Sequence, residues 1–245
     1  MAAEQQHDPL AQFEIKTIVP MEIGGVDLSF TNSSLFMVLT LIAVTAFLTL
    51  SMRRQALVPG RWQVLAEMFY GLVAGMVREN VGAEGRKYFP FIFSLFMFIL
   101  FGNLLGVMPY AFTFTSHLVV TFAMAAVVFI GVTIIAIAKH RMRFLGFFLP
   151  TGVPMIMAPL IVPIEILSYF IRPVSLSLRL FANMTAGHTM LKVFAGFVAT
   201  LGVFGIFPLG AVIALTGLEI LVACLQAYVF AVLSCVYLHD ALHLH

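Results

Sequence analysis

The side chains of this chain that are best suited to chemistry are charged residues set within long apolar stretches. Arg179 has Ser175 four residues before it and Asn183 four residues after it, so a helix places all three on one face. Arginine keeps its proton under nearly any condition, and a buried guanidinium therefore has to face a carboxylate or water. We expect Arg179 to act in ion transfer, with an ion pair inside the chain as the alternative. Taken alone, Ser175 and Asn183 are equally consistent with hydrogen bonds between helices.

A second set of polar residues suits the transfer of protons. Glu219 and Gln226 are seven residues apart and share a helical face, and His188 lies nine residues after Arg179, on the opposite side of an ideal helix. A buried carboxyl group favours its neutral form and histidine titrates near neutral pH, so together they can pass protons. The alternative for Glu219 is a protonated side chain that only forms a hydrogen bond. Glu165 lies fourteen residues before Arg179, near the same face, although a proline between them would bend the helix.

The composition assigns the chain to a lipid bilayer. Charged residues make up 10% of the sequence, against roughly a quarter in soluble domains, and the mean hydropathy is +1.06. The net charge of +2 gives no support for a nucleic-acid partner. The sequence shows no nucleotide-binding loop, no Ser-His-Asp order and no redox motif, so we expect neither catalysis of bond chemistry nor a cofactor. The C-terminal residues His239, Asp240, His243 and His245 could suggest a metal site, because histidines four residues apart can share an ion, but we favour a solvated tail at the membrane interface.

Three stretches before residue 144 carry helical signals. Residues 29–52 contain no Asp, Glu, Lys or Arg and predict a first span. The uncharged run 88–138 predicts a hairpin of two spans, with its turn at Pro109 and the polar residues of 113–117. Residues 61–80 predict an amphipathic helix lying along the membrane interface. Its apolar stripe is Leu65, Met68, Phe69, Leu72, Val73, Met76 and Val77.

Residues 150–238 allow two interpretations. Counting ~20 residues per crossing gives three or four upright spans. The alternative is two unusually long helices, about 150–200 and 211–238, with a break at the glycines and proline of 202–210. Helices of ~35 residues exceed ~30 Å of hydrocarbon, so they would be strongly tilted. The pattern of residues alone leaves both interpretations open.

Basic residues define the expected orientation. They cluster at 53–61, 78–87 and 139–143, whereas the N-terminal segment 1–28 is acidic. The positive-inside bias places the three clusters in the cytoplasm and the N-terminus in the periplasm. The first residues lack the basic start of a signal peptide, so we expect a multi-pass protein of the bacterial inner membrane.

Three motifs resemble those of subunit a of F-type ATP synthases. They are Pro173-Val-Ser-Leu-Ser-Leu-Arg-Leu-Phe-Ala-Asn-Met-Thr-Ala-Gly-His188, Leu225-Gln-Ala-Tyr-Val-Phe-Ala-Val-Leu-Ser-Cys-Val-Tyr-Leu238 and Phe101-Gly-Asn-Leu-Leu-Gly-Val-Met-Pro109. The similarity in length and motif order covers nearly the whole chain. The acidic start and the combination of His188 with Glu219 are most similar to the alphaproteobacterial and mitochondrial branch.

The resemblance implies a fold. Residues 1–245 would form a single all-α, polytopic membrane domain with about five membrane-crossing helices and one interfacial amphipathic helix. The last two crossing helices would be long and strongly tilted, and the C-terminus would lie in the cytoplasm.

The resemblance also implies a function, that of the proton-channel stator subunit of the Fo sector, with two offset half-channels that serve a rotating ring. Arg179 would face the carboxylate of each ring subunit. Proton uptake from the periplasm would use Glu219, His188, Gln226 and Asn183, and release to the cytoplasm would use Glu165 and Ser175. The implied partners are the c-subunit ring, the peripheral-stalk b subunits, the F1 sector indirectly and membrane lipids, and the transported ion is H+.

The sequence departs from the family pattern at two positions. Many bacterial relatives carry an acid at the position of His188 and a histidine at that of Glu219, so the exchange here suggests that cooperation of the two groups matters most. Ser177 stands where relatives often have glycine, and both residues are small enough for close approach to a ring. A proton-coupled transporter is the runner-up, but it would need a substrate cavity and internal repeats. A membrane scaffold would leave Arg179 and Glu219 without a role.

Overall fold

The computed structural model describes residues 13–20, 22–23, 26–27, 29–53, 59–108, 111–141 and 157–243. Within these ranges the chain is almost entirely helical. The α-helices are α1 (Asn32–Met52), α2 (Arg61–Asn80), α3 (Phe89–Val107), α4 (Leu118–His140), α5 (Ala158–Thr200) and α6 (Ile206–Leu242). Short 3-10 helices cover Ala83–Tyr88, Phe114–Ser116 and Gly202–Gly205. All the α-helices except α2 are long and apolar enough to cross a membrane, which confirms the predicted fold class.

The last part of the chain contains two long helices and not three or four upright spans. α5 has 43 residues and α6 has 37, which correspond to lengths of about 65 Å and 56 Å. Neither fits upright in ~30 Å of hydrocarbon. α6 begins at Ile206, five residues before the predicted start, because Pro208 occupies its first turn, where proline is tolerated. The predicted start near residue 150 lies outside the described residues.

The hairpin of α3 and α4 turns through the 3-10 helix Phe114–Ser116, at the polar residues where the sequence predicts the turn. Pro109, the other predicted turn signal, lies outside the described residues. α1 begins with Thr31 as its N-cap, and the Thr31 side chain accepts a hydrogen bond from the Ser34 backbone N–H.

α2 divides its apolar stripe between the bundle and the exterior. Val73, Met76 and Val77 are buried against the rest of the chain, whereas Met68 and Leu72 are exposed. The helix packs on α1, α3 and α6. A helix with one apolar strip on protein and another facing outward suits a position along the membrane interface.

α6 is the central helix and packs against α2, α3, α4 and α5. Ala223, Ala227, Ala231 and Cys235 recur every four residues along it, and all four are fully buried. Small side chains at this spacing let neighbouring helices approach closely. Glu219 lies four residues before Ala223, on the same face of α6, and therefore points into the bundle.

The segment before α1 forms short strands that the sequence patterns do not predict. β1 (Thr17–Val19) pairs antiparallel with β4 (Phe30–Thr31), and β2 (Glu22–Ile23) pairs antiparallel with β3 (Val26–Asp27). Asn32, the first residue of α1, donates its backbone N–H to the Lys16 carbonyl oxygen at 3.0 Å and extends this pairing. The strands therefore lie at the end of the bundle where α1 begins.

Candidate functional site

Arg179 lies at the middle of α5, and its side chain faces out of the helix bundle. Ser175, one turn earlier, is also exposed, and the exposed neighbours Val174 and Leu178 are apolar. None of the ion pairs observed among the described residues includes Arg179. The predicted alternative of an internal ion pair therefore gains no support. A guanidinium on an apolar, membrane-crossing face needs an acid or water from outside the chain.

His188 and Glu219 meet inside the bundle, where α5 packs on α6. His188 is 8% exposed and Glu219 is 5% exposed, and His188 Nδ1 forms an ion-pair contact with Glu219 Oε1. The same nitrogen lies 3.0 Å from the Met184 carbonyl oxygen. Gly187 makes this approach possible, because a Cβ atom there would lie only 2.9 Å from Glu219 Oε1. The structure thus supplies the contact that a proton relay between the two groups needs.

Thr113 contacts the second nitrogen of the His188 ring, Nε2. Its Oγ1 donates to the Gly106 carbonyl oxygen at 3.1 Å and lies 2.8 Å from His188 Nε2, which is itself 2.9 Å from that carbonyl. Because the hydroxyl proton goes to Gly106, the Thr113 oxygen can accept from Nε2. Both ring nitrogens therefore face acceptor oxygens, an arrangement that suits a protonated imidazolium beside a carboxylate.

Two glycines of α3 bring Thr113 into this position. A Cβ atom on Gly102 would lie 2.4 Å from the ring of Phe114, and one on Gly106 would lie 2.7 Å from Thr113. The turn after α3 therefore packs into a groove that only glycines leave open. His117, which ends this turn, stacks on Phe112, and burial lowers the pKa of its imidazole, which keeps it neutral near pH 7.

A cavity of about 820 Å³ leads to the His188–Glu219 pair. It is lined by Glu14, Lys16, Asn32, Phe36, Gly106, Val107, Met108, Ala111, Phe112, His188, Leu191, Lys192, Ala195, Val212, Thr216 and Glu219. These residues come from the end of the bundle where α1, α4 and α6 begin. The volume far exceeds the ~10–15 Å³ that one water needs, and polar groups line it, so it suits a water-filled path.

On the other side of Arg179, α5 is joined to α6 by a second ion pair. Arg172 Nη1 lies 2.8 Å from Asp240 Oδ2, and its guanidinium lies 5.8 Å and 5.3 Å from the ring centres of Tyr169 and Tyr237. The sequence patterns do not predict this contact. The prediction of a solvated tail is wrong for Asp240, and Ala241 after it is buried. The cause is the length of α6, which extends beyond residue 238 and stays packed on α5.

The remaining predicted residues lie elsewhere along α5 and α6. Asn183 is half-buried one turn after Arg179, and Gln226 is 6% exposed, about 10 Å along α6 from Glu219 towards the level of Arg179. Glu165 is half-buried near the start of α5, about 21 Å along the helix from Arg179. The structure therefore joins His188 with Glu219 directly and leaves the other predicted residues spaced along two helices.

Asn103 and Thr113 are polar residues near the pair to which the patterns assign no role. Asn103 is fully buried on α3 and donates its Nδ2 to the Ala223 carbonyl oxygen at 3.3 Å, between Glu219 and Gln226 on α6. A visible signal existed for both, because polar side chains in so apolar a stretch need partners. The sequence patterns assign Thr113 only to the predicted turn at 113–117, and Asn103 only to the motif that runs from Phe101 to Pro109.

Comparisons with known proteins agree with the three motifs. The family model described as ATP synthase A chain matches residues 34–239. A protein named ATP synthase subunit a from Paramagnetospirillum magneticum is 59% identical over 245 residues, covering 97% of this chain and 99% of the relative. Proteins of the same name from Parvibaculum lavamentivorans and Rhodospirillum rubrum are 60% and 54% identical, over 96% and 98% of this chain and 94% and 100% of theirs.

Proposed function

The chain belongs to the ATP synthase A chain family, and from this membership we propose how its residues carry protons. As a member it is a proton-translocating subunit of the membrane-embedded Fo sector, a multi-pass inner-membrane protein that associates with other ATP synthase subunits. We propose that it provides two offset half-channels to a ring of c subunits and so couples proton flow to rotation. The observation that carries this proposal is the exposed Arg179 at the middle of an apolar, membrane-crossing helix.

Arg179 would act on the carboxyl group that each ring subunit carries past it. A cation within ~4–6 Å favours the ionised carboxylate. The acid therefore loses its proton before it passes, and the carboxylate leaves Arg179 for the uptake path, where it is protonated again. The fixed charge also repels a proton that would cross directly between the two paths. Rotation of the ring is then the only route for net transfer.

The uptake path would run through the cavity to His188 and Glu219. Its support is the contact of the two side chains beside a cavity at one end of the bundle that both polar and apolar residues line. A proton taken up by His188 can pass to the Glu219 carboxylate and then towards the ring, with Gln226 and Asn183 beside the path. Acceptor oxygens at both ring nitrogens stabilise the imidazolium that forms once His188 has taken up a proton, and the Glu219 carboxylate beside Nδ1 can accept the proton that leaves.

The release path would lie on the other side of Arg179, with Ser175 and Glu165. Its support is position, since Ser175 is exposed one turn from Arg179 and Glu165 is half-buried farther along the same helix. Arg172, paired with Asp240, lies between them in sequence and fixes the end of α6 there. The His188 cavity and Glu165 thus lie on opposite sides of Arg179, which is the offset that a rotary device needs.

We further propose the orientation and the partners. The N-terminus would be periplasmic and the C-terminus cytoplasmic, and the partners would be the c-subunit ring, the peripheral-stalk b subunits, the F1 sector indirectly and lipids. In a background without Cys224 and Cys235, Ile15→Cys and His243→Cys should react with an impermeant thiol reagent from opposite sides of the membrane. Reaction from the same side would refute the orientation.

The deciding experiment replaces Arg179 in the complete synthase, reconstituted in proteoliposomes. Arg179→Ala should reduce ATP synthesis under an imposed proton gradient to background, because nothing would remove the proton from the ring carboxyl group. Since we propose no hydrolytic role and no cofactor for this chain, ATP hydrolysis by the soluble sector should continue. Arg78→Ala, which removes an exposed arginine from α2, is the matched control. Near-normal synthesis by Arg179→Ala would overturn the proposed function.

A further inference from the structure

The segment that precedes α1 folds back over the cavity that leads to His188. The ring of Phe13 lies 6.3 Å from the His188 ring, measured between centres. Glu14 and Lys16 line the same cavity as His188 and Glu219, although more than 160 residues separate them in sequence. A part of the chain outside the crossing helices therefore contributes a wall to the space beside the buried pair.

Asn32 fixes this segment through three hydrogen bonds. Its Nδ2 donates to the Glu14 carbonyl oxygen at 3.1 Å, and its Oδ1 accepts from the Lys16 N–H at 3.2 Å. Its own backbone N–H donates to the Lys16 carbonyl oxygen at 3.0 Å. An amide side chain that satisfies a donor and an acceptor of the same segment holds it as a neighbouring strand would. Asn32 thus positions residues 14–16 and also lines the cavity beside them.

We propose that residues 13–16, held by Asn32, form a lid that determines which solutes reach the proton-uptake pair. Water and protons pass beside the lid, whereas larger solutes are kept from His188 and Glu219. Glu14 and Lys16, with Lys192 across the cavity, place charges of both signs there and keep the cavity hydrated. Asn32 is the positioning residue of this device. The inference rests on the proposed uptake path, because only a water-filled path gives the lid something to select.

Thiol accessibility in the complete synthase tests the lid without measuring ATP synthesis. Ala195 lines the cavity, and Ala195→Cys would report access once Cys224 and Cys235 are replaced. Leu201→Cys, at the exposed residue that directly follows α5, gives the reference reaction rate for each reagent. Two probes are compared in proteoliposomes, the small 2-aminoethyl methanethiosulfonate and a maleimide that carries a polyethylene glycol chain. Each rate at Ala195→Cys is divided by the rate at Leu201→Cys.

Asn32→Leu keeps the size of the side chain but removes both of its hydrogen bonds to the lid. The rate of the bulky probe at Ala195→Cys should rise about tenfold, which corresponds to ~1.4 kcal/mol and is near the net worth of two hydrogen bonds. The rate of the small probe should change by less than about twofold. Asn32→Asp, which keeps the acceptor for Lys16, should give an intermediate rate. Asn80→Leu removes an amide that bonds only within α2, and it should have no effect.

Three results would overturn the proposal, and they differ in what else they affect. An unchanged bulky-probe rate in Asn32→Leu, with the small probe reacting normally, would refute the lid and leave the uptake path standing. An equal rise for both probes would indicate general loosening and would also refute the lid. A failure of the small probe to reach Ala195→Cys in the otherwise unchanged chain would refute both the lid and the water-filled path.

Discussion

Gly187 offers the sharpest test of the His188–Glu219 contact, because one added methyl group would intrude on it. A Cβ atom at Gly187 would lie 2.9 Å from Glu219 Oε1, whereas ordinary van der Waals contact begins at 3.4 Å. The oxygen would have to retreat by about 0.5 Å. It sits at the end of a flexible side chain, so the protein can fold, but Glu219 can no longer approach His188 as closely.

The expected loss follows from that displacement. Misplacing a reacting group by ~1 Å can cost ~10²-fold in rate, so a shift of about half that distance should slow proton uptake about tenfold. Folding should not suffer, because replacing a helical glycine by alanine stabilises a helix by ~0.5–1 kcal/mol. Gly187→Ala should therefore combine an assembled, stable complex with slow proton flow.

Gly196→Ala is the matched control, since it lies on the same helix and an added Cβ would have no neighbour within 4 Å. Proton flux and ATP synthesis are measured in proteoliposomes under an imposed gradient, together with the thermal stability of the assembled complex. Gly196→Ala should keep normal flux with the same gain in helix stability. Equal flux in the two variants would refute the argument that the contact governs uptake.

Three further predictions concern the same path. Exchanging His188 and Glu219 should retain more proton flux than either single loss, because each group keeps its partner, and a double exchange no better than the singles would contradict the pair. Thr113→Val should slow uptake about fivefold and shift the pH profile of proton flux, since Nε2 loses an acceptor worth ~1 kcal/mol. Thr113→Ser should restore the profile and Thr189→Val, whose hydroxyl bonds only to its own helix, should leave it unchanged. Arg179→Lys should fail to drive full-rate synthesis, as measured by ATP yield, because an ammonium can lose its proton when desolvated.

Much of the fold follows from the sequence because it depends on local properties. Uncharged length predicts the crossing helices, and the spacing of Val73, Met76 and Val77 predicts the buried side of α2. The choice between upright spans and long helices could not be made in this way. Prolines at 163 and 173 and the glycines near 202 all suggest breaks, yet tertiary packing keeps α5 continuous through both prolines.

The residues of the candidate site likewise divide into those with a local sequence signal and those that depend on tertiary contacts. Arg179, His188 and Glu219 could be found because a charged group in an apolar helix is conspicuous by itself. The contacts of Asn32 and Thr113 could not be predicted, because their partners lie 16 and 75 residues away, and no local period encodes such contacts. The ion pair of Arg172 with Asp240 could not be predicted for another reason. Asp240 reaches Arg172 only because α6 extends past residue 238.

The two contacts between α5 and α6 have a mechanical consequence. His188–Glu219 and Arg172–Asp240 join the helices at positions about 24 Å apart along α5, with Arg179 near the middle of the interval. A helix that is held on both sides of a residue bends less at that residue than a helix that is held on one side only. In the proposed function a ring turns against Arg179, so its force would act between these two contacts, and α6 would pass the force on to α3 and α4. Because the His188–Glu219 contact is also the proposed proton relay, weakening it would make α5 easier to bend as well as slow the proposed proton uptake.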